Sequence, residues 1–342
     1  MSSILSDEVH QDSSNSTVKQ TFLEATVATI VEEMRADPTV FTMGQDIRGG
    51  VYGAYPLAEF GERVRSLPIS EAANVGAAIG SAMTGMRPVL DMTIATFLYS
   101  AMDQIVNQAA KSRFLFGGQA RLPLVIRCTM FYGSSQAAHH NDRAYAMFMH
   151  VPGLKIVVPS SPVNAKGLMR AAIRSNDPVL VFEDSTLWGT RGDVPVDPDF
   201  IIPLGEAEIR QRGSDVTVIG IGQSLRTVDQ ALKLLGKDGI SIEVIDPRSL
   251  CPFDWKTVLA SVDKTRRVVV VDNGPMTCGV AGEILATVAE HFHGRLLAPP
   301  KRVTAPDMHL AFSPQLEKAL LPSREAVAEA IKSTFEYRGK EI

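Results

Sequence analysis

Cysteine is scarce. Cys128, Cys251 and Cys278 are the three in 342 residues, they lie far apart, and no Cys-x-x-Cys spacing occurs. This excludes a zinc ribbon and a disulfide-stapled scaffold, and it predicts reduced thiols in a cytoplasm-like compartment. Blocks of basic residues are also missing, and the formal net charge is −4. A nucleic-acid partner, which needs clustered Lys and Arg to meet phosphate, is therefore not expected. No apolar run reaches the roughly 20 residues that a membrane-spanning helix needs, so no membrane partner is expected either. The first residues, 1–16, show no basic-then-apolar leader pattern. They are polar and acidic, with too little apolar surface to offset their ordering entropy, and are expected to form a disordered tail.

What is present suits an ordinary globular protein: 45% hydrophobic and 21% charged residues. At roughly 100–200 residues per domain the length predicts two domains. Thr17 with Gln20 fits a capping box, and Val18, Phe22, Ala25, Thr26, Ala28, Val31 and Met34 recur at helical spacing. A helix starting at Thr17 is predicted. A strand at 40–43, a Gly-rich loop at 44–53 and a closely packed Ala/Gly-rich helix at 72–86 follow. Buried strands are predicted at 88–93 and 122–129 with a helix at 100–116 between them, then a strand at 154–159, a helix at 163–175 and a strand at 179–183. Alternation of short apolar strands with helices implies a parallel sheet covered on both faces.

The stretch 185–203, with Gly189, Gly192, Pro195, Pro198 and Pro203, interrupts that rhythm. A second alternation then runs through strands at 216–221, 240–245 and 267–272 and helices at 225–235, 255–261 and 280–291, ending in an amphipathic helix capped by Ser323. The predicted fold class is α/β with two doubly wound domains: a tail at 1–16, a first domain at 17–190, a linker at 191–204 and a second domain at 205–342. Fold alone implies no function.

Five segments, in this order and spacing, carry a specific resemblance: Pro68-Ile69-Ser70-Glu71-Ala72; Met102 to Asn107 with Ala109-Ala110-Lys111; Pro152-Gly153-Leu154-Lys155-Ile156-Val157; Ala165-Lys166-Gly167-Leu168; and Asp246-Pro247-Arg248-Ser249-Leu250. Together they resemble the beta subunit of thiamine-diphosphate-dependent 2-oxo acid dehydrogenases of the pyruvate, acetoin and branched-chain types. The resemblance runs from about Val18 to the C-terminus. It implies a thiamine pyrimidine-binding domain followed by a transketolase C-terminal-type domain. The alpha subunit of such enzymes carries a Gly-Asp-Gly motif for magnesium and the cofactor diphosphate, and Gly-Asp-Gly does not occur in this sequence. The resemblance thus implies an α2β2 heterotetramer, a 2-oxo acid or acetoin as substrate, and a lipoyl-bearing dihydrolipoyl acyltransferase as acceptor.

Residue by residue, it implies that Glu71 activates the cofactor. A carboxyl that keeps its proton can drive the aminopyrimidine to its imino form, and burial in an apolar site favours such a carboxyl. A plain reading competes: Ser70 caps a helix and Glu71 merely suits its dipole. Phe97 matches an aromatic that stacks on the aminopyrimidine, with core packing as the alternative and Tyr99 as the nearest competitor. His140, twelve residues before Pro152, matches an active-site histidine that holds the substrate carboxylate or handles protons, work suited to a pKa near neutrality. His139 is its rival, and an exposed loop pair is the plain alternative. A potassium site is implied at Leu124, Ala172, Ile173, Ser175 and Asp177, against an ordinary surface turn at 176–178.

Four departures bear on specificity: Gln45, Asn141, Asp142 and His309. An inward-pointing Asp142 would face a substrate carboxylate. Two like charges about 4 Å apart cost on the order of 4 kcal/mol before relaxation. An unusual substrate, acetoin-like or a specialised 2-oxo acid, is expected unless Asp142 turns away. Two other readings stand beside the dehydrogenase: half of a split transketolase, and a scaffold subunit without catalysis.

Overall fold

The structure, a computed structural model, describes residues 16–50 and 53–337. The expected tail, apart from Ser16, lies outside the described residues, as do two positions of the Gly-rich loop. Among the described residues the strands are β1 (Thr17–Thr21), β2 (Val40–Gln45), β3 (Val64–Leu67), β4 (Arg87–Ile94), β5 (Val125–Met130), β6 (Lys155–Val157), β7 (Val179–Asp184), β8 (Arg191–Pro195), β9 (Glu208–Gln211), β10 (Val216–Gly220), β11 (Ile242–Asp246), β12 (Ser249–Cys251), β13 (Val268–Pro275) and β14 (Lys301–Ala305).

Seven strands form the first sheet in the order β12-β6-β7-β5-β4-β2-β3, and every pair but β12 with β6 is parallel. Central strands β5 and β7 are buried along their whole length, as strands covered on both faces must be. Helices Phe22–Ala36 and Pro162–Arg174 pack together on one face through Ile30, Met34, Leu168 and Met169. Helix Glu71–Met83 covers the other. The second sheet runs β14-β13-β10-β11-β9, parallel except for β9. The predicted two-domain α/β fold is what the chain adopts.

The two halves are stitched together. Val75, Leu90 and Ile126 of the first half share one apolar cluster with Ile219, Val270 and Ile284 of the second. The segment Asp246 to Leu250 explains its place among the matching motifs here. It carries β12 out of the second half and adds it to the edge of the first sheet beside β6. Asp246 is fully buried and takes hydrogen bonds from Ser160 and from Asn164 Nδ2 (3.1 Å) across the joint, and from the Arg248 N–H (2.9 Å) on its own side.

Two local expectations are corrected. Thr17 caps no helix: Thr17–Thr21 is a strand paired antiparallel with β8, which draws its backbone hydrogen bonds out of any helical turn. The capping box lies four residues later, with Glu24 N–H donating to Thr21 Oγ1 (3.2 Å) and Thr21 N–H to Glu24 Oε2 (2.7 Å). The helix expected at 100–116 is three tighter and wider pieces, a 3₁₀ turn at Ala95–Ala101, a π turn at Gln104–Ala109 and one α turn at Ser112–Leu115. Leu98, Ala101, Ile105 and Ala109 stay buried throughout, so the apolar spacing reads as helix although the winding changes. Strand β8 occupies the start of the stretch expected to be a linker, 191–204.

Candidate active site

Glu71 is the first residue of helix Glu71–Met83, entered from β3 through Pro68-Ile69-Ser70. The capping alternative fails in its detail, because the Ser70 hydroxyl makes no capping hydrogen bond. The turn is held instead by Asn74, whose Nδ2 donates to the Pro68 carbonyl at 3.0 Å. Glu71 is half-buried, and its side chain makes no hydrogen bond or ion pair with another described residue. Around it the surface is apolar: Ile69 is 74% exposed, and Ala72 and Ala73 are exposed. A carboxyl placed in the first turn is favoured by the helix dipole. Left unpaired on an apolar rim, it also suits a group brought by another molecule.

The turn Ala95–Ala101 packs against both this helix and the short helix Ala137–His140. Phe97 on that turn meets His140, with ring centroids 5.6 Å apart and planes at 84°. Its neighbours fix the contact. Thr96 Oγ1 donates to the His139 carbonyl at 2.5 Å, and Tyr99 Oη donates to Asp142 Oδ2 at 3.0 Å. Burial first, then the Asp142 charge, pushes the Tyr99 hydroxyl well above its ordinary range. Phe97 and half-buried His140 thus form a pair, while Tyr99 bonds Asp142 and His139 is exposed. The structure brings the Glu71 helix, Phe97 and His140 to one turn.

Asp142 turns toward a second feature, a cleft of about 1290 Å3 between the halves. Tyr99, Asp142 and Arg143 line one wall and Trp255, Cys278 and His309 the other, whereas Glu71, Phe97 and His140 are not lining residues. Two buried pairs lie beneath it, one within the first half and one crossing to the second. Arg143 Nη2 lies 2.5 Å from Asp184 Oδ1 while its guanidinium stacks on Tyr132 at 4.4 Å, and the Tyr145 hydroxyl donates to Asp272. Burial raises the Asp272 carboxyl and drives the Tyr145 hydroxyl well above its usual range. Nothing in the local sequence pattern marks this joint beyond an aspartate closing or following a short apolar run, Asp184 after 179–182 and Asp272 after 268–271.

The positions expected to hold potassium are already engaged. The carbonyls of Leu124 and Ala172 accept from the N–H groups of Val179 (2.9 Å) and Ser175 (3.2 Å). Arg87 Nη1 donates to the carbonyls of Ile173 (2.9 Å) and Ser175 (3.0 Å). Lys155 Nζ lies 3.1 Å from Ser175 Oγ and 3.2 Å from Asp177 Oδ2, and Arg113 pairs with the same carboxylate. Two guanidinium groups and an ammonium supply the positive charge, so the set as arranged does not fit a potassium ion.

Comparison with known proteins matches residues 18–189 to the transketolase pyrimidine-binding domain and residues 205–327 to the transketolase C-terminal domain. The chain is 40% identical over 90% of its length to the acetoin:2,6-dichlorophenolindophenol oxidoreductase subunit beta of Bacillus subtilis, covering 94% of that protein. It is 36% identical over 92% of its length to the 2-oxoisovalerate dehydrogenase subunit beta of the same organism, covering 98% of it. Among solved structures, a split-gene transketolase, described as an inactive beta4 tetramer, superposes with TM-score 0.78 at 22% identity, covering 93% of this chain and 99% of that one. This chain belongs to the family of dehydrogenase beta subunits built from a transketolase pyrimidine-binding domain and a transketolase C-terminal domain.

Proposed function

We propose that the chain is the beta-type half of a thiamine-diphosphate-dependent dehydrogenase that acts on a 2-oxo acid or acetoin and passes the acyl group to a lipoyl-bearing acyltransferase. Residues 17–190 form its pyrimidine-binding domain and 205–342 its C-terminal domain, with 191–204 between them. The observation that carries this reading is Glu71: a half-buried carboxyl with no partner among the described residues, opening a helix on an apolar, exposed rim. An alpha-type subunit in an α2β2 assembly would cover that rim and bring the magnesium and diphosphate site that this chain lacks. No helix among the described residues is long and apolar enough to cross a membrane, and the proposed setting is the cytoplasm.

When bound, thiamine diphosphate supplies the carbon nucleophile that attacks the substrate carbonyl. Glu71 shares a proton with the far nitrogen of the aminopyrimidine, and covering by the partner removes the water that would compete for it. Phe97 offers its ring to the aminopyrimidine, and His140, braced by Phe97, holds or moves a proton beside the reacting carbonyl. Relatives named for acetoin and for 2-oxo acids both match this chain. The neutral hydroxyketone is the better fit, because the acetoin-named relatives match at 40% and 41% against 36% for the 2-oxoisovalerate relative; Asp142, bound by Tyr99 and turned toward the cleft, takes no part in that choice.

The test is turnover of the chain reconstituted with an alpha-type subunit over pyruvate, acetoin and branched-chain 2-oxo acids. Cleavage of acetoin above pyruvate is expected. Efficient turnover of pyruvate with none of acetoin overturns the substrate assignment, and ketol transfer to a sugar phosphate in place of all three overturns the dehydrogenase reading.

A further inference from the structure

Glu317 is 2% exposed although it stands on a short helix, Pro314–Leu320, whose neighbouring Leu316 and Phe312 are open to solvent. Its carboxylate crosses to the first half of the molecule and ends in the loop that carries His140. Gly133 N–H donates to Oε1 at 2.9 Å and Ser135 N–H to Oε2 at 2.9 Å. Ser135 Oγ adds a longer bond to Oε2 at 3.4 Å, and Asn141 Nδ2 one to Oε1 at 3.3 Å.

The loop's own geometry asks for this anion. Gly133 (φ 82°), Ser135 (φ 56°) and Ala137 (φ 57°) all lie in the left-handed region. For Ser135 and Ala137 that conformation is costly unless the surroundings enforce it. Backbone turned this way gathers N–H groups into a concavity that receives negative charge. The charge comes from a side chain 184 residues away from Gly133. Asn141 directly follows His140, so one carboxylate grips the segment at both ends, 133–135 and 141.

We infer that Glu317 is a positioning residue: it fixes the Gly133–Asn141 loop so that His140 stays against Phe97, and it makes the C-terminal half part of the active-site geometry. This rests on the reading of His140 as a catalytic group. Glu317 touches no reacting atom. It acts through the loop, and the losses it causes run through His140.

The experiment is a double-mutant cycle in the enzyme assembled with its alpha-type subunit, using Glu317→Ala, His140→Ala and the pair, with hydrogen exchange at the Gly133 and Ser135 amides followed alongside. Glu317→Ala is expected to lower kcat between about tenfold and 100-fold, the scale of a catalytic group displaced by about 1 Å, and to speed exchange at both amides. Added to His140→Ala it lowers kcat no further, since coupled residues are not additive. Glu317→Gln keeps the side-chain volume and one acceptor oxygen, so it folds where the alanine variant fails, and it retains kcat between wild type and Glu317→Ala. Losses that multiply in the double variant, or unchanged kcat in both Glu317 variants, overturn the proposal alone. Full turnover in His140→Ala overturns the reading of the site, and this proposal with it.

Discussion

Phe97 and His140 stand edge to face, 5.6 Å between ring centroids and 84° between planes, although 43 residues separate them in sequence. Such a pair contributes about 0.5–1.5 kcal/mol beyond the area it buries. More important here, it gives His140 a fixed wall. With the ring also stacking on the cofactor, as proposed, Phe97→Ala is expected to lower kcat/KM by about tenfold or more, while Phe97→Tyr keeps most of it. Tyr99→Phe removes the hydrogen bond to Asp142 and leaves the Phe97–His140 contact in place, so its effect is smaller than that of Phe97→Ala. Steady-state kinetics of the assembled enzyme rank the three.

Arg127 holds the centre of the first sheet. Its guanidinium is 1% exposed, 2.8 Å from Asp91 Oδ2 and 2.9 Å from both oxygens of Glu183. Burial raises the Asp91 carboxyl, and Arg127 is the charge that opposes this. Arg127→Met leaves two buried carboxylates facing each other and is expected to cost about 3–5 kcal/mol. Denaturant unfolding measures it. Asp91→Asn and Glu183→Gln added to Arg127→Met recover part of the loss, because the penalty lies in the stranded charges.

Asp246 makes the joint between the halves sensitive to pH. Burial, offset by hydrogen bonds from Ser160 and the Arg248 N–H and by the Arg248 charge, lifts its carboxyl from 3.8 to about 6, with Glu208 pushing the same way as burial. The sign follows from proton binding. Between those values the unfolded chain has released the proton and the folded chain still holds it, so stability falls as pH rises through that window. Below pH 4 the group contributes no pH dependence, and above pH 6 the full loss, about 3 kcal/mol, is present. Asp246→Asn is expected to lose this slope between pH 4 and 6. Unfolding midpoints of the two proteins at pH 4, 5, 6 and 7 check it, and parallel curves would contradict it.

The long, periodic elements were legible in the sequence. Helix Arg324–Glu336 follows its Ser323 cap as expected, with Ala326 N–H donating to Ser323 Oγ at 3.0 Å. The motif Pro152-Gly153-Leu154 also has a physical reason. Gly153 has φ 97°, and a Cβ there would lie 2.1 Å from the Ala110 carbonyl oxygen. What stayed hidden depends on contacts between distant residues. The strand Thr17–Thr21 exists because β8 pairs with it. The turn at Ala95–Ala101 changes winding without changing its apolar spacing. Glu317 has no local signal at all, because its partners lie 176 to 184 residues earlier. The positions expected to hold potassium meet side chains from elsewhere, Arg87, Arg113 and Lys155, whose reach no spacing records.

Glu71, half-buried and without a side-chain partner in the single chain, is the carboxyl proposed to activate the cofactor once a partner subunit covers it. Glu71→Gln tests it most directly in the enzyme assembled with an alpha-type subunit, with turnover and assembly measured on the same preparation. Glutamine keeps the shape but cannot exchange a proton at the ring nitrogen, so turnover is expected to fall by about 100-fold or more while the assembly forms normally. Turnover within a few-fold of wild type in an intact assembly would contradict the account.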